Sequence, residues 1–244
     1  MVYLKICSRL TLSLALASCL ASASFINGGF ETGDLTGWNS LGVVEASVAL
    51  EYPETGTVTP DTGDYSARLV SQSIDVATIA AQMSIDVATL QASNDDVEAT
   101  VGSLIWQSAF ATAGDVLQFR WNFVETDYLP FDDWAFYGIQ YESNATELTK
   151  FASLGSVGPE SGSTINGWTT LTVTIPETGN YTFYFGVVNA LDTGLSSELW
   201  IDGAYAGDSP PAPVDGNEVP EPATFALLIP AIAAIVIRSR RAKA

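Results

Sequence analysis

The 244-residue chain contains no histidine and only two cysteines. The missing histidine excludes His-dependent catalytic triads and ordinary His-containing zinc sites. Both cysteines, Cys7 and Cys19, lie near the N-terminus, which excludes a cysteine nucleophile from the rest of the chain. Carboxylate pairs of the kind that a glycoside hydrolase uses remain, for example Glu125 with Asp132, but 28 acidic residues produce such pairs by chance. We expect a protein that is not an enzyme.

Basic residues are scarce as well, and most of them lie at the two ends. Only Arg68, Arg120 and Lys150 are found between the terminal groups, and the formal net charge is -19. A body with this charge repels nucleic acid and anionic lipid, so we expect neither as a partner.

Residues 1–23 have the features of a secretory signal peptide. Positive charges precede an apolar run at residues 10–20, and the small residues at 21–23 form a site for signal peptidase. Cleavage before Ser24 would remove both cysteines and leave an exported protein that is stable without disulfides. In the alternative, the tetrapeptide Leu-Ala-Ser-Cys ending at Cys19 resembles a bacterial lipobox, and Cys19 would become a lipidated N-terminus.

The C-terminal part, residues 220–244, differs from the acidic body. A Pro-rich linker at 207–219 leads to the uncharged run 223–237, which an Arg-rich end follows. As a helix this run would span about 22 Å at about 1.5 Å per residue, so it crosses a bilayer core of roughly 30 Å only marginally, with Arg238 reaching the interface. The positive-inside rule leaves the basic end in the cytoplasm and the body outside. A buried core helix is the alternative, which the linker disfavours.

The combination of a short motif, an apolar run and a basic end resembles the PEP-CTERM sorting signal of Gram-negative bacteria. The residues that carry the resemblance are Val219, Pro220, Glu221, Pro222, Arg238, Arg240 and Arg241. The resemblance implies transient anchoring in the inner membrane, processing by an exosortase, and release to the cell surface or the extracellular polysaccharide matrix.

Short runs with apolar residues at alternate positions recur between turns rich in Gly, Asn and Asp. They cover residues 104–110, 116–124, 134–141, 168–175, 181–188 and 199–205. Turn signals at 112–115 and 177–180 separate pairs of runs as hairpin connections do. The pattern predicts an all-β, antiparallel sandwich.

Two stretches, 25–38 and 63–69, resemble the opening strand, loop and next core strand of carbohydrate-binding-module-like, galactose-binding-like jelly rolls. The string from 102 to 202 is similar to the body that often accompanies the sorting signal. The resemblance implies one jelly-roll domain over 24–206. Such domains include sugar binders, adhesins and structural modules, so the fold alone does not decide the function.

Residues 72–101 depart from this pattern. The sequence Ser-Ile-Asp-Val-Ala-Thr at 73–78 recurs at 84–89. Each copy offers Ser as an N-cap and Asp in the first turn, so we predict an insertion of two short helices. Because β-branched residues are frequent here, a pair of edge strands is the alternative.

Two tryptophans are candidates for ligand binding. Trp168 and Trp200 alternate with apolar neighbours that take the opposite face, which predicts a position at or near solvent, whereas Trp121 shares its face with apolar residues and is expected in the core. An exposed flat ring can stack on a sugar, so an extracellular polysaccharide is a candidate partner.

A structural Ca²⁺ site is the one cofactor that the resemblance implies. In such jelly rolls it joins the loop after the first strand to the last strand. The matching residues are Glu31 and Asp202, with Asp64 as a weaker third, and carboxylate oxygens are the ligands that Ca²⁺ prefers.

The sequence therefore predicts an exported, exosortase-processed surface or matrix protein with a structural or adhesive role. A polysaccharide-binding module is the main alternative. A glycoside hydrolase or a lipoprotein remains a further alternative.

Overall fold

The computed structural model describes residues 25–53, 56–157, 164–165 and 167–206. The predicted signal peptide, linker and sorting signal lie outside the described residues. No helix in the described part of the chain is long and apolar enough to cross a membrane.

Strands dominate the described chain, and each of the predicted runs overlaps one of them. The strands are β1 Asn39–Leu41, β2 Val43–Ser47, β3 Leu50–Tyr52, β4 Gly56–Val58, β5 Ser66–Val70, β6 Ile74–Asp75, β7 Ala99–Ala111, β8 Val116–Glu125, β9 Trp134–Tyr141, β10 Glu147–Ser153, β11 Thr164–Ile165, β12 Thr169–Thr174, β13 Gly179–Ala190 and β14 Glu198–Ala206. The helices are α1 Val76–Gln82, α2 Val87–Ala92 and α3 Leu154–Val157.

The strands form two antiparallel sheets and a separate hairpin. Sheet A has the order β1-β7-β13-β9-β10, with β6 also paired to β7. Sheet B has the order β11-β8-β14-β5-β2, with β12 also paired to β8, and β3 pairs with β4. From β7 onwards the chain crosses repeatedly between the sheets, which is the strand alternation of a jelly roll. The predicted all-β sandwich is confirmed.

The main core fills the space between the sheets. Alternate residues of β8 and β13 supply much of it, among them Phe119, Trp121, Phe123, Phe183 and Phe185. Burying a phenylalanine side chain contributes about 1.5–3 kcal/mol, so this aromatic layer is a large part of the driving force for folding. The predicted core position of Trp121 is confirmed.

Helices α1 and α2 cover the outer face of sheet A, where Ile79, Met83 and Leu90 pack in one apolar cluster with residues of the sheet. The two predicted helices are confirmed, but the predicted N-caps are wrong. Asp75 and Asp86 cap the helices through their side chains, which accept from Ala77 N at 2.8 Å and Thr89 N at 2.7 Å respectively. The first helix starts later than predicted because Ile74 and Asp75 pair with β7 as a short strand.

The β3–β4 hairpin lies over the outer face of sheet B. Leu50, Tyr52 and Val58 of the hairpin pack in a small apolar cluster with Val124 and Trp200 of the sheet. Sheet B is therefore covered on both faces in this region, and its outer side chains meet the hairpin rather than water alone.

Candidate functional site

The outer face of sheet B brings aromatic and charged side chains together. Arg68 on β5 and Trp200 on β14 are directly paired across the ladder, and both belong to the set that points away from the main core. The hairpin adds Tyr52, and the segment before β12 adds Trp168. We call Tyr52, Arg68, Trp168, Glu198 and Trp200 the sheet B cluster.

A bidentate ion pair anchors the sheet B cluster. Arg68 Nε donates to Glu198 Oε2 at 2.6 Å, Arg68 Nη2 donates to Oε1, and Nη1 reaches Glu45 Oε1 at 2.8 Å. Tyr52 Oη donates to Glu198 and accepts a hydrogen bond from Trp200 Nε1 at 3.1 Å. Burial, followed by the hydrogen bond and charge of Glu198, raises the pKa of Tyr52, so the phenol stays protonated.

Trp168 lies at the margin of the sheet B cluster and is partly exposed. Its indole Nε1 donates to the Thr59 carbonyl oxygen at 2.8 Å, which fixes the orientation of the ring. The ring belongs to the same apolar group as Val58, Val124 and Trp200. Trp168 therefore combines a fixed orientation with access to solvent.

A second charged group adjoins Trp168. Arg120 forms two hydrogen bonds with Asp61, both at 2.9 Å, and it also donates to Thr170 Oγ1. The guanidinium Nη2 lies 3.5 Å from the Trp168 carbonyl oxygen. Both guanidinium groups of sheet B are thus held next to the aromatic residues.

The structure does not place Trp200 at the surface. Its side chain is fully buried, with 0% exposure, although it does point away from the main core as its alternation predicts. The expectation of solvent access is wrong because the β3–β4 hairpin covers this part of the sheet. Trp200 supports the residues above it and has no free face for a ligand.

Sequence reasoning missed Tyr52, Arg68 and Glu198. One signal was available: Arg68 is one of three cations in the body and lies in a strand whose other residues are apolar or small. A cation in such a strand needs an acidic partner on the same face, and Glu198 precedes Leu199 with the correct alternation. The contribution of the hairpin had no comparable signal.

The Glu31 carboxylate binds the loop that precedes β5. Oε2 accepts from the Asp64 backbone nitrogen at 2.9 Å and Oε1 accepts from the Tyr65 nitrogen at 3.1 Å. Asp64 is exposed and takes part through its backbone amide. Glu31 thereby ties the first loop of the domain to β5.

Asp202 binds the same loop from the last strand. It is fully buried and accepts from Thr62 N at 2.9 Å and Gly203 N at 2.6 Å. Burial, with smaller contributions from the charges of Asp61 and Glu31, raises the pKa of Asp202 to about 7. Across the described residues, no three or more His, Cys, Asp or Glu side chains are grouped as a metal site. Calcium binding at Glu31, Asp64 and Asp202 stays a prediction.

A cleft of about 390 Å³ lies elsewhere on the sandwich, between the end of β9 and the connection from β12 to β13. Tyr141, Asn144, Glu147, Pro176 and Tyr181 are among its lining residues. The rings of Tyr141 and Tyr181 are 5.0 Å apart. This cleft is a second place where an aromatic ring adjoins polar groups.

Comparisons with known proteins give only distant structural similarities. No protein-family description matches the chain, and no curated protein matches it. The structure of TmCBM61 in complex with β-1,4-galactotriose is similar at 14% identity and a TM-score of 0.42, over 76% of this chain and 98% of that one. The CBM22-1 xylan-binding domain of Paenibacillus barcinonensis Xyn10C is similar at 13% identity and a TM-score of 0.34, over 72% and 90%.

The K3 adhesin domain of Lys-gingipain from Porphyromonas gingivalis W83 is also similar, at 12% identity and a TM-score of 0.39, over 75% of this chain and 98% of that one. At these values the similarities assign neither a family nor a ligand to this chain.

Proposed function

We propose that the domain is a non-enzymatic module that binds an extracellular polysaccharide, with Trp168 as the stacking residue. The observation that carries this proposal is the position of Trp168, partly exposed and fixed by its bond to Thr59, next to the Arg120 guanidinium on the outer face of sheet B. Sugar rings offer apolar C–H faces to aromatic rings and hydroxyl groups to charged hydrogen-bonding partners. The outer face of sheet B has both kinds of group.

The sheet B cluster is suited to hold such a surface rigid. Arg68 and Glu198 are largely buried, with side-chain exposures of 18% and 8%, and their bonds lie within the protein. Glu45, at 56% exposure, extends from this pair to solvent. A rigid surface loses little conformational entropy when a polymer binds, which favours affinity.

The carboxylates support a function without catalysis. Glu125, one member of the pair that a glycoside hydrolase would need, is fully buried. Asp132, the other member, accepts from Gly155 N at 2.9 Å and from the Asn94 side chain at 3.3 Å. A polysaccharide chain has no access to Glu125, so this pair is not suited to cleave one.

A structural or adhesive role is the second candidate. It is favoured by the bonds of the sheet B cluster, which join its members to one another. In either role the protein is exported and signal peptidase removes its signal peptide. The C-terminal segment then anchors it for a time in the inner membrane until an exosortase processes it. The supporting features are the sequences of residues 1–23 and 220–244.

Calcium bound by Glu31 and Asp202 is part of the proposal. Two features support it: the two carboxylates bind the same loop, and Asp202 is a buried acid beside the charges of Asp61 and Glu31. A bound cation would offset this negative charge and stabilise the folded state.

A glycan array with residues 24–206 tests the proposed function. The proposal expects binding to a subset of polysaccharides, and the same subset should be lost with Trp168→Ala. An array on which the folded domain binds nothing would favour the structural role.

A further inference from the structure

Glu125, the last residue of β8, points into the space between the sheets. It follows the alternation of Phe119, Trp121 and Phe123, which lie in the main core. Its side chain has 0% exposure, and neither carboxylate oxygen has a hydrogen-bond partner among the described residues. An ionised carboxylate in such a position strongly destabilises the folded state unless something compensates its charge.

The cations of the body do not provide that compensation. Arg68 and Arg120 pair with carboxylates on the outer face of sheet B, and Lys150 donates to Asn94 Oδ1 at 2.6 Å. The surroundings of Glu125 are negative instead. Burial, followed by the charges of Asp132, Asp133 and Asp127, raises the pKa of Glu125 to about 7.

Two more buried oxygen-bearing side chains lie at the same end of the sandwich. Asp133, fully buried just before β9, accepts from Ala190 N at 2.9 Å and Ser197 N at 3.1 Å. Asn189, next to Ala190, donates to the Leu195 carbonyl oxygen at 2.7 Å. Its Oδ1 is buried and, like the Glu125 oxygens, has no hydrogen-bond partner in the described part of the chain.

The end of β8 is joined to this region directly. Thr126, next to Glu125, donates through Oγ1 to the Ser196 carbonyl oxygen at 2.7 Å, and its backbone nitrogen lies 3.5 Å from Ser197 Oγ. The backbone nitrogen of Ser197 also donates a hydrogen bond to Asp133. The loop that precedes β14 therefore connects the ends of β8 and β13 to the start of β9.

We propose that Glu125, Asp133 and Asn189 are ligands of a buried Ca²⁺ ion between the two sheets, at a site separate from Glu31 and Asp202. Two carboxylates and one amide supply only oxygen, the donor that a hard cation prefers, and backbone carbonyls and water complete such a coordination shell. The ion neutralises Glu125 and uses the Asn189 oxygen that the described residues leave without a partner. It also ties the loop before β14 to both sheets.

Calcium uptake by the full chain tests this proposal. Protein stripped with EGTA is titrated with CaCl₂ in a calorimeter at roughly physiological salt, where exposed charges are screened. Glu125→Gln keeps the shape of the side chain and removes its charge, and Asp202→Asn is the matched control at the other carboxylate. We expect wild type and Asp202→Asn to bind an ion that Glu125→Gln binds at least tenfold more weakly.

Asn189→Asp provides a test in the opposite direction. An added carboxylate should strengthen Ca²⁺ binding at least tenfold and lower the melting temperature of the ion-free protein. Equal affinity and stoichiometry in wild type, Glu125→Gln and Asn189→Asp would overturn the proposal and leave Glu125 as a neutral buried acid. Near-ultraviolet circular dichroism confirms that each variant is folded before its binding is compared.

Discussion

Arg68 holds the Glu198 carboxylate with two nitrogens, Nε at 2.6 Å from Oε2 and Nη2 bonded to Oε1, on the outer face of sheet B. The pair joins two strands that are neighbours in the sheet, β5 and β14, and Tyr52 connects it to the β3–β4 hairpin. The ion pair therefore adds a polar link between the hairpin and the sheet to their apolar contacts.

Removing the cation of this pair should destabilise the fold. Arg68→Met leaves Glu198 largely buried without its partner, and we expect a loss of about 2–4 kcal/mol in the free energy of unfolding. Glu45→Gln removes the exposed partner of the same guanidinium and should cost at most about 0.5 kcal/mol. Urea denaturation measures both. A loss in Arg68→Met no larger than that in Glu45→Gln would contradict the role of the pair.

Gly28 allows the first loop to approach the last strand. A Cβ at this position would lie 2.0 Å from the Ala204 carbonyl oxygen, whereas a Cβ at Gly29 would have its nearest contacts at 3.7 Å. We therefore expect Gly28→Ala to lower the free energy of unfolding by about 3 kcal/mol, and Gly29→Ala to have a much smaller effect. Equal unfolding midpoints for the two variants would show that the loop and strand can separate at no cost.

Buried carboxylates should make stability fall with rising pH. The pKa values of Glu125, Asp133 and Asp202 are each raised to about 7, chiefly by burial, so the folded state holds protons that the unfolded chain releases near pH 4. Their stabilising contribution is complete below pH 4 and is lost as the pH rises through about 7. No histidine titrates in this interval.

In EGTA, the urea midpoint should therefore decrease between pH 5 and pH 8, and Glu125→Gln and Asp202→Asn should each reduce that decrease. A wild-type midpoint that rises over the same interval would show that these groups are ionised in the folded protein.

The sorting prediction concerns residues outside the described part of the chain. Deleting residues 220–222 removes the Pro-Glu-Pro motif, and replacing Arg238, Arg240 and Arg241 by Ala removes the orientation signal. Each change should keep the protein in the inner membrane or misplace it, because recognition by the protease and orientation in the membrane are separate requirements. Cell fractionation shows where each variant is found, and mass spectrometry gives its mature mass. Both variants reaching the medium at the wild-type level and mass would refute exosortase sorting.

The sandwich was predictable because alternation of apolar residues reports directly which side of a strand is buried. Phe119, Trp121 and Phe123 are an example, and their core position followed from the sequence alone. The burial of Trp200 does not follow from alternation alone. Alternation places it on the outer face of its strand, but the cover over that face is a hairpin far away in sequence.

The candidate site was predictable only in part for the same reason. Glu198 pairs with Arg68 and Tyr52 across more than a hundred residues, and no local pattern specifies such a contact. The helix caps failed for a different reason: Ser and Asp are both good N-caps, and at α1 the pairing of Ile74 with β7 decided between them.

One affinity measurement tests the central proposal most directly. It uses residues 24–206 and the polysaccharide that binds best on the array, and it compares wild type with Trp168→Ala and Tyr141→Ala. Tyr141 is the control because it offers an aromatic ring in the separate cleft. We predict that Trp168→Ala raises the Kd at least tenfold, about 1.4 kcal/mol, while Tyr141→Ala leaves it within about twofold. An unchanged Kd in folded Trp168→Ala, or a loss confined to Tyr141→Ala, would contradict binding at the outer face of sheet B.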